Sequence, residues 1–279
     1  MNKEQFESQK FHDREARDRQ LFNDSAALYC RKDLLPASRR ARMLRLTETL
    51  RLAPLPAGAR VLEVGCGTGF AASYLRDRFG TYTGVDYSEN LIEYARLYNA
   101  SPNVHFIPAN IKTFRSDEPF DMIFLIGVLH HLDEMEQVLA QLVGLLKPGG
   151  WLVANEPQPT NPLIRLARFV RTKLDRGYSS EQLQLSAGQL GAAYAQAGLI
   201  DIRTKPQGLF STPFAEIPMK PQWLAEPLST VACLSDVAAD RLVGRLLKPL
   251  TWNMVVVGRR PADNVARGSS RMSNAWGSS

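Results

Sequence analysis

No apolar run in this chain approaches the ~20 residues that span a bilayer. The opening stretch, MNKEQFESQKFHDREARDRQ, is charged throughout and carries none of the apolar core of a secretory signal. Cysteine is scarce: Cys30, Cys66 and Cys233 lie far apart and show no metal-ligand spacing, so no metal is expected. No Gly-Lys-Ser/Thr follows the glycine-rich turn near residue 65, which excludes a P-loop. Internal repeats are absent. What these absences leave is a reduced, cytoplasmic globular protein. Its 279 residues, 44% hydrophobic and 22% charged, suit one large domain or two modest ones.

Charge is unevenly spread. Residues 54–156 hold 7 basic and 12 acidic side chains, whereas residues 157–260 hold 13 and 7. The overall +6 therefore sits on the flanks, not on the segment with the glycine turn. Basic flanks suit a solvated exterior, nucleic acid or an anionic membrane surface.

Residues 13–52 read as helical, broken at Pro36, and 1–55 as a helical N-terminal cap. Strand and helix patterns then alternate: strands at 60–65, 81–87, 103–109, 120–128 and 151–156, helices at 69–79, 88–99 and 134–146. Continuous apolar strands in that rhythm predict an α/β fold, a doubly wound and mostly parallel sheet with both faces covered. A helix at 186–198 feeds a strand at 199–204, and a last strand spans 251–260. The segments 157–182 and 205–250 read as insertions that cover a substrate. Residues 261–279, polar and Gly/Ser-rich, read as a disordered tail.

The chemistry begins at RVLEVGCGTGF, residues 60–70. A glycine turn between strand and helix offers backbone N–H groups to an anionic ligand. The dinucleotide fingerprint G-x-G-x-x-G needs a small residue where this chain has Phe70, which weakens a nicotinamide reading. Glu63 ahead of Gly65, Gly67 and Gly69 completes E-x-G-x-G-x-G. With that pattern the chain resembles the class I S-adenosylmethionine (SAM)-dependent methyltransferases.

The resemblance covers residues 58–156 well and implies a Rossmann-like, seven-stranded sheet with an antiparallel last strand. It implies that Glu63, Gly65, Cys66, Gly67 and Gly69 meet the methionine end of SAM. Asp86, ending the second strand, is placed for the ribose hydroxyls, with Tyr87 beside it. Asn110 stands where the family usually has an acid for the adenine amino group; its amide oxygen accepts the same bond, and backbone at Ile111 shares the task. Gly127 lies in the turn after the fourth strand, and Asp121 at that strand's start reads as structural. Methyl transfer is an in-line displacement that needs positioning above all. A general base matters only where the acceptor loses a proton, and His131 or His130 of VLHHL can serve, the resemblance favouring His131.

The Asp/Asn-Pro-Pro-Tyr/Phe motif is absent from that turn, so VLHHL resembles the small-molecule branch: quinone, lipid and natural-product methyltransferases. A small, moderately apolar acceptor is expected, methylated on oxygen, carbon or nitrogen. RNA is the second reading, with no basic-aromatic platform to support it; a non-catalytic SAM-binding module is the third. Within 161–174, Arg165, Arg168 and Arg171 flank an apolar side suited to an anionic lipid surface or an acidic substrate. Phe22 and Tyr29 read equally as residues that close over the cofactor and as ordinary core residues.

Overall fold

The computed structural model describes residues 3–132, 134–158, 161, 185–242 and 248–262, with only the backbone given for 3–15, 241, 242 and 248. The Arg165, Arg168 and Arg171 stretch, most of the 157–182 insertion and the tail beyond 262 lie outside the described residues.

Among the described residues, seven strands form one sheet in the order β3-β2-β1-β4-β5-β7-β6. β1 (Arg60–Val64), β2 (Thr81–Asp86), β3 (Val104–Pro108), β4 (Phe120–Ile126) and β5 (Leu146–Pro157) are mutually parallel. β7 (Asn253–Arg259) enters antiparallel between β5 and β6 (Ile200–Gln207). The expected Rossmann-like α/β sheet with its antiparallel last strand is what forms.

The strands read as continuous apolar runs because both faces are buried. In β4, Phe120, Ile123 and Leu125 join one core while Met122 and Phe124 join the other. β7 divides in the same way, Met254 and Val256 against Val255 and Val257. Side chains alternate across a strand, so apolar residues on both faces leave no polar alternation to read. α5 (Met135–Leu145) and α6 (Ala187–Gln196) cover one face; α2 (Pro36–Leu50), α3 (Phe70–Tyr74) and α4 (Glu89–Asn99) cover the other.

Ahead of the sheet, α1 (Lys3–Leu34) runs to the Pro36 break and packs on α4, while Pro36 opens α2 at a position where its missing N–H costs nothing. Between β6 and β7, α7 (Thr212–Glu216) and α8 (Gln222–Leu242) pack against α2. Cap and insertion therefore form one helical layer.

Four boundaries differ from expectation by three residues or more, the first being α1, which begins at Lys3 instead of residue 13. The helix at 69–79 closes after Tyr74, where Leu75 leaves helical geometry at φ −102° and ψ 11°, and Asp77 at φ 67° keeps the chain from resuming it. β5 begins at Leu146 instead of residue 151, with a bulge opposite Phe120–Met122. β6 continues to Gln207, into the stretch assigned to the insertion.

Candidate active site

The strand order reverses between β1 and β4, and a cavity of about 1080 Å³ opens at the carboxyl ends of the parallel strands there. Ligands of open α/β sheets bind in such a crevice. The volume lies just above the range of roughly 300–1,000 Å³ for small-molecule sites, enough for a cofactor and an acceptor together. Of the expected residues, the cavity brings together Glu63, Gly65, Cys66, Gly67, Asp86, Tyr87, Asn110, Ile111, Gly127, His130 and His131.

Gly69 is the exception: it does not line the cavity. A side chain there would collide with the Phe106 ring and come within 2.9 Å of Ala95, so this glycine lets α3 and α4 pack closely. Gly65, Gly67 and Gly69 take φ of 68°, 52° and 72°, a region that L side chains enter at a cost. A Cβ on Gly65 would collide with Val128, whereas one on Gly67 meets nothing within 4 Å. Bare backbone therefore faces the cavity at Gly67, the cradle that a ligand needs for close approach. α3 has only five residues and contributes little dipole; the turn's bare backbone carries the anion argument instead.

Asp86 ties this turn to the next strand. Its Oδ2 accepts from Gly67 N and its Oδ1 from Ser88 N, both at 2.9 Å. A backbone bond from Tyr87 joins these two, and the carboxylate's remaining acceptor capacity is what a ribose hydroxyl would meet. Burial pushes its carboxyl up to about 6, against the pull of those backbone donors. Glu63 is buried beneath the turn and accepts from the Tyr82 hydroxyl. Burial pushes Glu63 up to about 8, the Tyr82 bond opposing it. Asn110 Oδ1 already accepts from Lys112 N at 3.0 Å, and the Ile111 carbonyl from Gln141 Nε2 at 2.6 Å. Both shape the turn after β3 as well as the cavity wall.

The histidines part company. In the 3-10 turn Leu129–His131, His130 Nδ1 lies 2.7 Å from Oε2 of Glu156, which is fully buried at the end of β5. Oε1 of the same carboxylate accepts from Val128 N and Leu129 N at 3.0 and 2.9 Å. The His130 ring is thereby fixed, leaving Nε2 as its remaining nitrogen. His131 Nδ1 stands 3.6 Å from Asp18 Oδ2, too long for a hydrogen bond. Burial pulls His131 below its usual value, Asp18 pulling the other way.

α1 forms the opposite wall. Phe22 packs on Tyr29, Tyr87 and His131, with ring centroids 5.7, 6.0 and 5.5 Å apart. Asn23 Oδ1 accepts from Ser88 Oγ at 2.6 Å. Asp33 accepts from Thr68 of the glycine turn and from Tyr74, each at 3.0 Å, and pairs with Arg42 Nε at 2.8 Å. Sequence reasoning missed Asn23, Asp33, Arg42 and Glu156. Only Glu156 left a trace, the single acid of its strand, near the C-terminal end.

This sheet, glycine turn and strand-ending acid define a Rossmann-like methyltransferase. A family model described as a methyltransferase domain matches residues 62–154. A ubiquinone biosynthesis O-methyltransferase of Thiobacillus denitrificans is 34% identical over 164 residues, 56% of this chain and 70% of the relative. A trans-aconitate 2-methyltransferase of Escherichia coli is 32% identical over 139 residues, 48% of this chain and 54% of the relative. Among solved structures, a Haloferax volcanii methyltransferase in complex with the Trm112 activator shares the fold: TM-score 0.61, 18% identity, 86% of this chain and 97% of that one. The chain belongs to the class I SAM-dependent methyltransferases, of the small-molecule branch, and transfers a methyl group from SAM to a small molecule. No helix among the described residues is long and apolar enough to cross a membrane.

Proposed function

We propose that the acceptor atom is a hydroxyl oxygen, that His130 oriented by Glu156 takes its proton, and that Glu63, Gly65, Cys66, Gly67, Asp86, Tyr87, Asn110, Ile111 and Gly127 hold SAM. Gly69 keeps a packing role. In this reading residues 1–55 cap a methyltransferase domain at 56–260, and 157–182 and 205–250 cover the acceptor. The observation that carries the reading is the buried His130–Glu156 pair on the cavity wall. The O-methyltransferase name of the Thiobacillus relative supports oxygen as the acceptor atom.

Bound in this cavity, SAM supplies an electrophilic methyl carbon on a neutral leaving group. The chain's own residues do the rest. The bare backbone of Gly67 admits the methionine end, and Asp86 anchors the ribose. Glu156 holds the Nδ1 proton of His130, so Nε2 is the basic nitrogen and accepts the hydroxyl proton as the oxygen attacks. Phe22 and Tyr29 exclude water from above. The basic segment 161–174 supports a peripheral contact with an anionic surface, measured by co-sedimentation with anionic vesicles.

Isotope transfer from labelled SAM to a panel of hydroxylated aromatics tests the assignment. A positioned base is worth about 10²–10⁴-fold, so His130→Gln lowers kcat by that factor. His131→Ala stays within a few-fold. Full turnover by His130→Gln overturns the base assignment.

A further inference from the structure

Three cations meet in the wall of the same cavity. Lys32 Nζ and Arg45 Nη1 lie 3.6 and 2.6 Å from the two carboxylate oxygens of Glu216, and Arg42 pairs with Asp33 beside them. The cations are built into the wall, with 11%, 15% and 21% of the side chains of Lys32, Arg45 and Arg42 accessible. Glu216 keeps 47% accessible, on a residue that lines the cavity. Two carboxylates thus stand against three cations. Burying like charges together is costly unless anions stand against them. Burial alone would push Glu216 up, yet Arg45, Lys32 and Arg42 outweigh it and hold its carboxyl at about 2. The place is made for a carboxylate, and its present occupant is the member most open to the cavity, on a five-residue helix of the insertion.

We propose that Lys32, Arg42 and Arg45 form a carboxylate subsite, held by Glu216 in this structure and given over to a ligand carboxylate, from the methionine end of the cofactor or from the acceptor. The proposal rests on the methyl-transfer reading of the cavity. The exchange costs little charge: one carboxylate leaves as another arrives, and the freed Glu216 turns to water. It also links ligand binding to α7, so that the insertion moves when the subsite changes hands.

Calorimetric titration of the full chain tests this with two ligand pairs that differ in one carboxylate. The first is SAM against decarboxylated SAM. The second, with S-adenosylhomocysteine present, is 3,4-dihydroxybenzoate against catechol. Glu216→Gln removes the competing charge at constant size and tightens the carboxylate-bearing member of one pair several-fold, its partner staying within twofold. Lys32→Met and Arg45→Gln weaken that same member about tenfold or more, as loss of a charge-assisted hydrogen bond implies. A response in the first pair names the cofactor as the source, and in the second the acceptor. Should Arg45→Gln fail to fold, Lys32→Met and Glu216→Gln retain both arginines and carry the comparison. If neither carboxylate-bearing ligand responds by more than twofold while SAM still binds, the subsite is overturned and methyl transfer stands. If the wild-type chain binds neither form of SAM, the cavity reading falls and the subsite with it.

Discussion

At Gly67 and Gly65 the same residue type does two jobs. Gly67 faces open space, so Gly67→Ala costs only the left-handed backbone, about 1–2 kcal/mol, but puts a methyl where a ligand approaches. Gly65→Ala adds a collision with Val128 and is the more destabilising, by a further ~1–3 kcal/mol of overpacking. Thermal melts should rank Gly65→Ala below Gly67→Ala, while calorimetry with SAM finds Gly67→Ala impaired. Glu63 carries a pH signature. Its carboxyl titrates near 4.3 in the unfolded chain and about 8 when buried, so the folded state binds the proton more tightly. That contribution to stability is fully present below ~4.3 and is lost as pH rises through about 8. Glu63→Gln, neutral at every pH, should flatten the fall in Tm between pH 5 and 8; an unchanged slope would show that Glu63 ionises freely in the fold.

Among the elements, α1 decides how the glycine turn and the α4 N-terminus are held. Its Asn23 reaches Ser88, the N-cap of α4, and its Asp33 reaches Thr68, Tyr74 and Arg42. Asp33 is buried, and Asp33→Ala strands the Arg42 guanidinium. Breaking such a pair costs about 3–5 kcal/mol, a fall in Tm of roughly 10 °C for a chain of this size. Asn23→Ala touches a more exposed contact and should leave Tm nearly unchanged, yet weaken SAM, since the turn at Ser88 positions Asp86. Circular dichroism melts beside calorimetry separate the two effects; equal losses of Tm would show that α1 merely packs.

For the molecule as a whole, ligand binding and stability are linked. SAM at 100 times its Kd stabilises the fold by about 2.7 kcal/mol. That corresponds to a Tm rise of roughly 5–10 °C. Asp86→Ala should abolish the rise without collapse of the sheet, because the cores above and below it are built from other residues. A full shift in that variant would place the ribose elsewhere.

The order of strands and helices, the glycine turn and its acids follow from local rules: apolar periodicity, positive-φ positions and a carboxylate at a strand end. These signals lie within a few residues of each other, so they survive in the sequence. The cofactor was legible because that local pattern resembles the methyltransferase family's. Contacts between residues far apart in the chain were not. His130 meets Glu156 across 26 residues, Asp33 meets Thr68 across 35, and Arg45 meets Glu216 across 171. Nothing local marks such pairs, because each partner looks like an ordinary polar residue until packing removes water from around it. The tertiary structure alone chose which histidine is anchored and set Gly69 to packing instead of the cavity. It also brought Lys32 of α1 and Arg45 of α2 against Glu216 of the insertion, beside the Arg42–Asp33 pair.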